Sequence, residues 1–165
     1  MASTPSSLNT LPNTTLRKLA RWLANHSYAD VGMAIGSTAD EYKTAATANY
    51  TIDGVWYTKA ATDDINFTAG HTALAASQKC LVAICLDAAG TFSSIQSSIV
   101  AASASDPDWP TIPITVVCIG GIKIETGATT FTFDTTNLSA ANVTDTYYDF
   151  NGLPPTGSSA FALTV

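Results

Sequence analysis

Charge is what this sequence has least of. Only 12% of its 165 residues are Asp, Glu, Lys or Arg, about half the share usual in soluble domains. There are 7 bases against 13 acids, a net charge of −6. A nucleic-acid-binding chain needs a basic face first, so nucleic acid is not an expected partner. Histidine is nearly absent: His26 and His71 are the whole supply. Neither lies near a Ser or Cys in a recognisable catalytic frame. The nucleophile-elbow, zincin, Walker and dinucleotide signatures are missing too. No apolar run approaches the ~20 residues of a membrane span. The polar start, residues 1–10, lacks the basic and apolar stretches of a secretion signal. The expectation is a chain that folds in a cytosol, with no membrane partner.

Cysteine is scarce, with Cys80, Cys85 and Cys118 only. Together with His71 they match a three-Cys, one-His zinc set in number. The spacing argues against it. Cys80 and Cys85 are five apart in one strand and point to opposite faces. They read as small buried hydrophobes. A cross-strand disulfide from Cys118 to either partner stays open for a particle outside a cell, leaving one thiol free. The acid pairs Asp40-Glu41, Asp63-Asp64 and Asp106/Asp108 read as solvated turn residues. Glycosidase chemistry needs two acids across a cleft, and no full calcium-loop motif surrounds Asp106 and Asp108. No metal, cofactor or catalytic residue is expected, and the chain reads as non-enzymatic.

What the sequence has is Ala, Thr and Ser: 26, 25 and 15 residues. Hydrophobic content is 46%, so the low charge does not mean disorder. Thr is β-branched and polar, suited to a half-wet pleated surface. The charge is also uneven. Residues 1–29 carry Arg17, Lys18 and Arg21 and no acid; residues 30–165 carry four bases against thirteen acids, a balance of −9. A basic arm on an acidic body suggests two different surroundings.

One helix is expected, over 14–26. Asn13 or Thr14 caps it, Leu16, Leu19, Ala20 and Leu23 share a face, and Asn25 and His26 end it. At about three turns it is too short to stand alone in water. From Tyr42 the pattern becomes strands. Asp53-Gly54 predicts a two-residue hairpin turn, pairing Ile52 with Val55 and Tyr50 with Tyr57 on one face, and Thr51 with Trp56 on the other. Residues 64–68 predict a short strand and 69–79 a loop. Residues 79–86 are apolar on both faces, as in a central strand, with a turn at 87–90 and another strand within 93–102. Residues 103–113 form a Pro/Asp loop. Residues 114–119 predict a second buried strand, with a bulge or close backbone contact at Gly120-Gly121. Ile122 and Ile124 then alternate with Lys123 and Glu125, residues 126–130 turn the chain, and Phe131 and Phe133 alternate back as a second hairpin. Residues 143–150 and 160–165 close the sheet. Trp22, Trp56 and Trp109 are candidate sugar contacts, although Trp56 is expected to pack in its hairpin and Trp109 to plug its loop onto the sheet. The expected fold is mainly β, an antiparallel sandwich or small barrel. Its parts are an arm and helix over 1–29 and a β-rich body over 30–165.

Three stretches, YTIDGVWYTKAATDDINFTA at 50–69, CLVAICLDAAGT at 80–91 and IGGIKIETGATTFTFDTTNLSAANVTDTYYD at 119–149, resemble segments of tailed-bacteriophage virion proteins. The resemblance covers roughly 32–150. The cysteines and the helical arm have no counterpart in the pattern. It implies a head-associated structural protein with no catalytic residues: a capsid decoration, cement or head-fibre accessory protein. Its implied partners are the major capsid protein or other virion proteins, and its implied state a homo-oligomer, a trimer, assembled in the bacterial cytoplasm into the virion. The alternative is a tail-fibre or receptor-binding module contacting host glycans. The expected docking residues are Leu16, Leu19, Trp22 and Leu23 for apolar contact and Arg17, Lys18 and Arg21 for charge. A helix that only covers its own β-body fits the same stripe.

Overall fold

The computed structural model describes residues 24–152. It is mainly β, and every strand pairing is antiparallel. The strands are β1 (His26–Ser27), β2 (Met33–Ile35), β3 (Tyr42–Thr44), β4 (Ala48–Ile52), β5 (Val55–Lys59), β6 (Thr62–Ile65), β7 (Gln78–Asp87), β8 (Phe92–Gln96), β9 (Val100–Ala101), β10 (Val116–Thr126) and β11 (Val143–Asp149). They form three sheets, ordered β1-β4-β5, β2-β3-β6 and β11-β10-β7-β8, with β9 continuing beside β7. None closes, so the small barrel is ruled out as an architecture for the described residues. The expected helix falls mostly on residues outside the described ones. His26, expected at a helix end, is instead the first residue of β1 and pairs with Thr51.

The long pair β7·β10 is the centre. Ten residues of β7 and eleven of β10 run almost wholly buried, which explains why this sequence is apolar at consecutive positions rather than alternate ones. Cys80, Val82, Ile84 and Leu86 face the larger core. Ala83 and Cys85 face a smaller one behind the sheet. On β10 the period of two breaks once. The register shifts between Cys118 and Gly120, so Ile119 is an extra residue. A one-residue insertion flips facing. Odd-numbered Val117 and Ile119 and even-numbered Ile122 and Ile124 therefore reach the same core. The two glycines fit this crowded point. A Cβ on Gly120 would lie 2.6 Å from both Met33 Cγ and the Tyr148 carbonyl oxygen, and one on Gly121 2.4 Å from the Trp109 ring.

The first hairpin forms as expected. Ile52 pairs with Val55, Tyr50 with Tyr57 and Thr51 with Trp56, and both turn residues have positive φ, 51° at Asp53 and 77° at Gly54. The expected strand within 93–102 is split into β8 and β9. At the break the Ser97 amide donates to the Leu81 carbonyl, and the Leu81 amide donates to Ser97 Oγ. The second hairpin is corrected. Phe131 and Phe133 do not return along β10. They bury their rings, and Phe131 exchanges two backbone hydrogen bonds of 2.9 Å with Leu74. β11 is the returning strand, from Val143 opposite Thr126. Alternation states which side chains are buried, not which strand they pair with, and residues 126–130 carry no tight-turn dipeptide to fix the pairing.

Candidate interaction face

The sheet β1-β4-β5 carries the largest exposed aromatic group of the described residues. Its register aligns His26, Thr51 and Trp56 across three strands. The next residue of the chain, Tyr28, donates its amide to the Asn49 carbonyl. Since Tyr50 and Ile52 face the core, the period of two sends Thr51 and Trp56 the other way. Trp56 is 56% exposed, Val55 53% and Tyr28 49%. Trp56 is thus corrected from a packed residue of the hairpin to an outward one. The rings of Tyr28 and Trp56 lie 5.0 Å apart at 33°. Thr51 sits beneath them, its Oγ1 accepting from the His26 amide at 3.2 Å and lying 3.4 Å from the Tyr28 hydroxyl. The basic residue on this hairpin, Lys59, turns away, with its Nζ 5.4 Å from the Phe92 ring centroid. An aromatic platform edged by hydroxyls suits a neutral or apolar partner surface.

Both ends of the described chain meet this sheet. The Ala24 carbonyl accepts the Gly54 amide of the hairpin turn, and the Gly152 amide donates to the Ser27 carbonyl. The His26 Nδ1 lies 3.2 Å from the Gly152 carbonyl oxygen. Asn25 fastens the junction. Its Nδ2 donates to the Ile114 carbonyl at 2.9 Å, and its Oδ1 accepts the Asp53 amide at 2.7 Å. The expected docking residues Leu16, Arg17, Lys18, Leu19, Arg21, Trp22 and Leu23 lie outside the described residues, as does the strand expected at 160–165. The described chain thus begins and ends on hydrogen bonds to the aromatic sheet.

The other residues considered from sequence separate in space. His71 is in a loop, as expected, but folding brings its Nε2 to 2.7 Å from Ser94 Oγ, a contact across 23 positions with no sequence motif. Ser94 is 4% exposed. Its hydroxyl also accepts the Thr68 amide, while its own amide donates to Thr68 Oγ1. The imidazole lies edge-on to Phe67 and Phe133. Burial holds its pKa below the ordinary value, against the opposing pull of Asp134. The Asp134 carboxylate accepts the Phe67 amide. This cluster pins the 66–77 loop onto β8.

Cys80 lies in the larger core, Cys85 and Cys118 in the smaller one, and His71 in its aromatic clamp. Among the described residues no group of three His, Cys, Asp or Glu stands close enough to hold a metal ion. Asp106 is engaged by two cations, 2.8 Å from Lys79 Nζ and 2.8 Å from Lys123 Nζ, and these hold its carboxyl below the usual carboxylate range. Asp63 and Asp64, in β6, accept the Ser37 and Thr38 amides of the loop between β2 and β3. Trp109 plugs its loop onto the sheet as expected, edge-on to Tyr148 and Phe150 at 5.6 and 4.9 Å. Among the described residues no helix is long and apolar enough to cross a membrane. No family model, curated protein or solved structure matches the chain.

Sequence reasoning missed Tyr28. The signal for the face was present in the hairpin register. A core-facing Tyr50-Tyr57 pair obliges Thr51 and Trp56 to face outward, and a short strand beside β4 then completes the platform.

Proposed function

We propose that this chain is a structural protein of a tailed-bacteriophage virion, a capsid decoration or head-fibre accessory protein that binds the shell as a homo-oligomer, a trimer. The observation that carries this reading is the convergence of Ala24, Gly152 and the exposed Tyr28-Trp56 pair on one sheet. An assembly protein needs a stable body, a broad contact surface and an anchoring segment, and no chemistry. Here residues 1–23, which carry Arg17, Lys18 and Arg21, precede Ala24, whose carbonyl accepts the Gly54 amide of the aromatic sheet's hairpin. Such an arm complements an acidic shell surface, and the aromatic face supplies the apolar contact that anchors protein interfaces. A resident virion protein also fits the sequence resemblance over 32–150.

Mass photometry of the full chain, alone and with virions stripped of it, tests this. A trimer that rebinds in large, saturating copy number is expected. The Arg17→Ser/Lys18→Ser/Arg21→Ser variant should lose most of that binding. A monomer that leaves the shells bare overturns the proposal. A second reading, a fibre or receptor-binding module for host glycans, is favoured by the same Tyr28-Trp56 pair, since sugar rings stack on exposed aromatics. It predicts glycan-array binding that survives the triple substitution.

A further inference from the structure

Behind the central sheet, Cys85 of β7 and Cys118 of β10 stand directly opposite each other in the antiparallel register. Opposed antiparallel residues have Cα atoms about 4.5–5.5 Å apart, inside the about 4.4–6.8 Å range of disulfides. Both belong to the same small buried cluster, where Cys118 Sγ donates to the Gly120 carbonyl at 3.3 Å. Both are free thiols. The third cysteine cannot compete, because Cys80 faces the larger core on the other side of the same strand.

We propose that Cys85 and Cys118 are a disulfide-forming pair, a redox staple across β7 and β10 that closes when the chain leaves a reducing cytosol. A lid controls access. Trp109 and Ile112, from the loop before β10, pack over the pair. The loop is fastened by Asp106 on Lys79 and Lys123 and by Trp109 over Gly121. Cys85 is 0% exposed and Cys118 6%, so Cys118 meets an oxidant first once the loop lifts. With oxidised glutathione the step balances. The Cys118 thiolate attacks one glutathione sulfur, forming a mixed disulfide and releasing one glutathione. The Cys85 thiolate then attacks Cys118 Sγ and releases the second. Two protein S–H bonds are lost and one S–S bond gained, while the glutathione disulfide is reduced to two thiols.

The full chain incubated with oxidised glutathione, then alkylated and mapped by non-reducing peptide mass spectrometry, tests the pairing. A single Cys85–Cys118 linked peptide is expected, with Cys80 alkylated and dithiothreitol restoring three thiols. Cys80→Ala should leave the link unchanged. Asp106→Asn, which releases two lysines from the loop, should speed the link several-fold while circular dichroism stays native. Linkage through Cys80, cross-linking only between chains, or thiols that stay free in both the native chain and the Asp106 variant would each overturn the proposal. Equal rates in the two would overturn the lid.

Discussion

The β7·β10 centre and the β1-β4-β5 sheet solve opposite problems with the same secondary structure. Between its end residues β7 is buried at every position, on both faces. In β5 three of five residues are exposed and none is buried. The centre has apolar clusters in front and behind, so consecutive residues are constrained and even the buried ammonium group of Lys79, at 5% exposed, is held by Asp106. The outer sheet buries one face only, through Tyr50 and Ile52, which leaves the other free to carry Trp56. Burial is concentrated in the first region, and an exposed aromatic face is left to the second. Mutations should therefore separate the two.

The largest effect should come from the centre. Ile122, fully buried on β10, replaced by Ala should cost about 2–5 kcal/mol, the transfer loss plus the cavity left behind. Urea denaturation of the purified variant measures it. A cost no greater than that of a substitution on β5 would erase the contrast. Next comes the joint between the regions. Asn25→Ala removes its hydrogen bonds to the Asp53 amide and the Ile114 carbonyl, and should cost about 0.5–1.5 kcal/mol, the net worth of such a bond. Hydrogen exchange should show the added opening at the Asp53-Gly54 turn rather than along β7.

How much of this was legible in sequence follows the same division. Residues 79–86 announced a buried strand because burial on both faces leaves a continuous apolar run. Asp53-Gly54 announced its turn because two positive φ values restrict the residue types. The glycines at 120 and 121 announced crowding, which the structure shows to be a bulge beneath Met33, Tyr148 and Trp109. Long-range pairing was not legible. Phe131 and Phe133 alternate correctly, but Phe131 bridges to Leu74, 57 positions earlier, and nothing local encodes that partner. Of the candidate face, the outward direction of Trp56 was implicit in the hairpin register. Tyr28 was not, because β1 has only two residues and lies where a helix end was expected.

A smaller effect is expected from acid. Burial depresses the His71 pKa, so the folded state binds fewer protons than the unfolded chain below the ordinary histidine value of about 6.5. The neutral imidazole's contribution is fully present above that value. It is lost as the pH falls from there through the folded-state pKa. Melting temperature should decline over this interval in the native chain and decline less in His71→Gln, which keeps a polar group near Ser94. Parallel slopes would remove His71 as the titrating group. A serine-reactive fluorophosphonate probe should leave Ser94 unlabelled, since its hydroxyl lies 4% exposed between Thr68 and His71.

The smallest stability effect should be at the residue with the largest expected effect on binding. Trp56 is more than half exposed, and among the described residues its one ring contact is Tyr28, itself exposed. Trp56→Ala should change unfolding free energy by no more than about 0.5–1 kcal/mol, the range of a surface substitution that gives up one aromatic pair. Binding should respond differently. Truncating an aromatic anchor at the centre of an interface commonly costs about 2 kcal/mol or more, roughly thirtyfold in affinity. Shell rebinding by the Trp56 variant, measured beside its urea midpoint, separates the two terms. A variant that keeps its midpoint and loses rebinding identifies the outer sheet as a recognition surface. A variant that loses stability and keeps rebinding would make Trp56 part of the framework, and the contact surface would then have to be sought elsewhere on the body or along its basic arm.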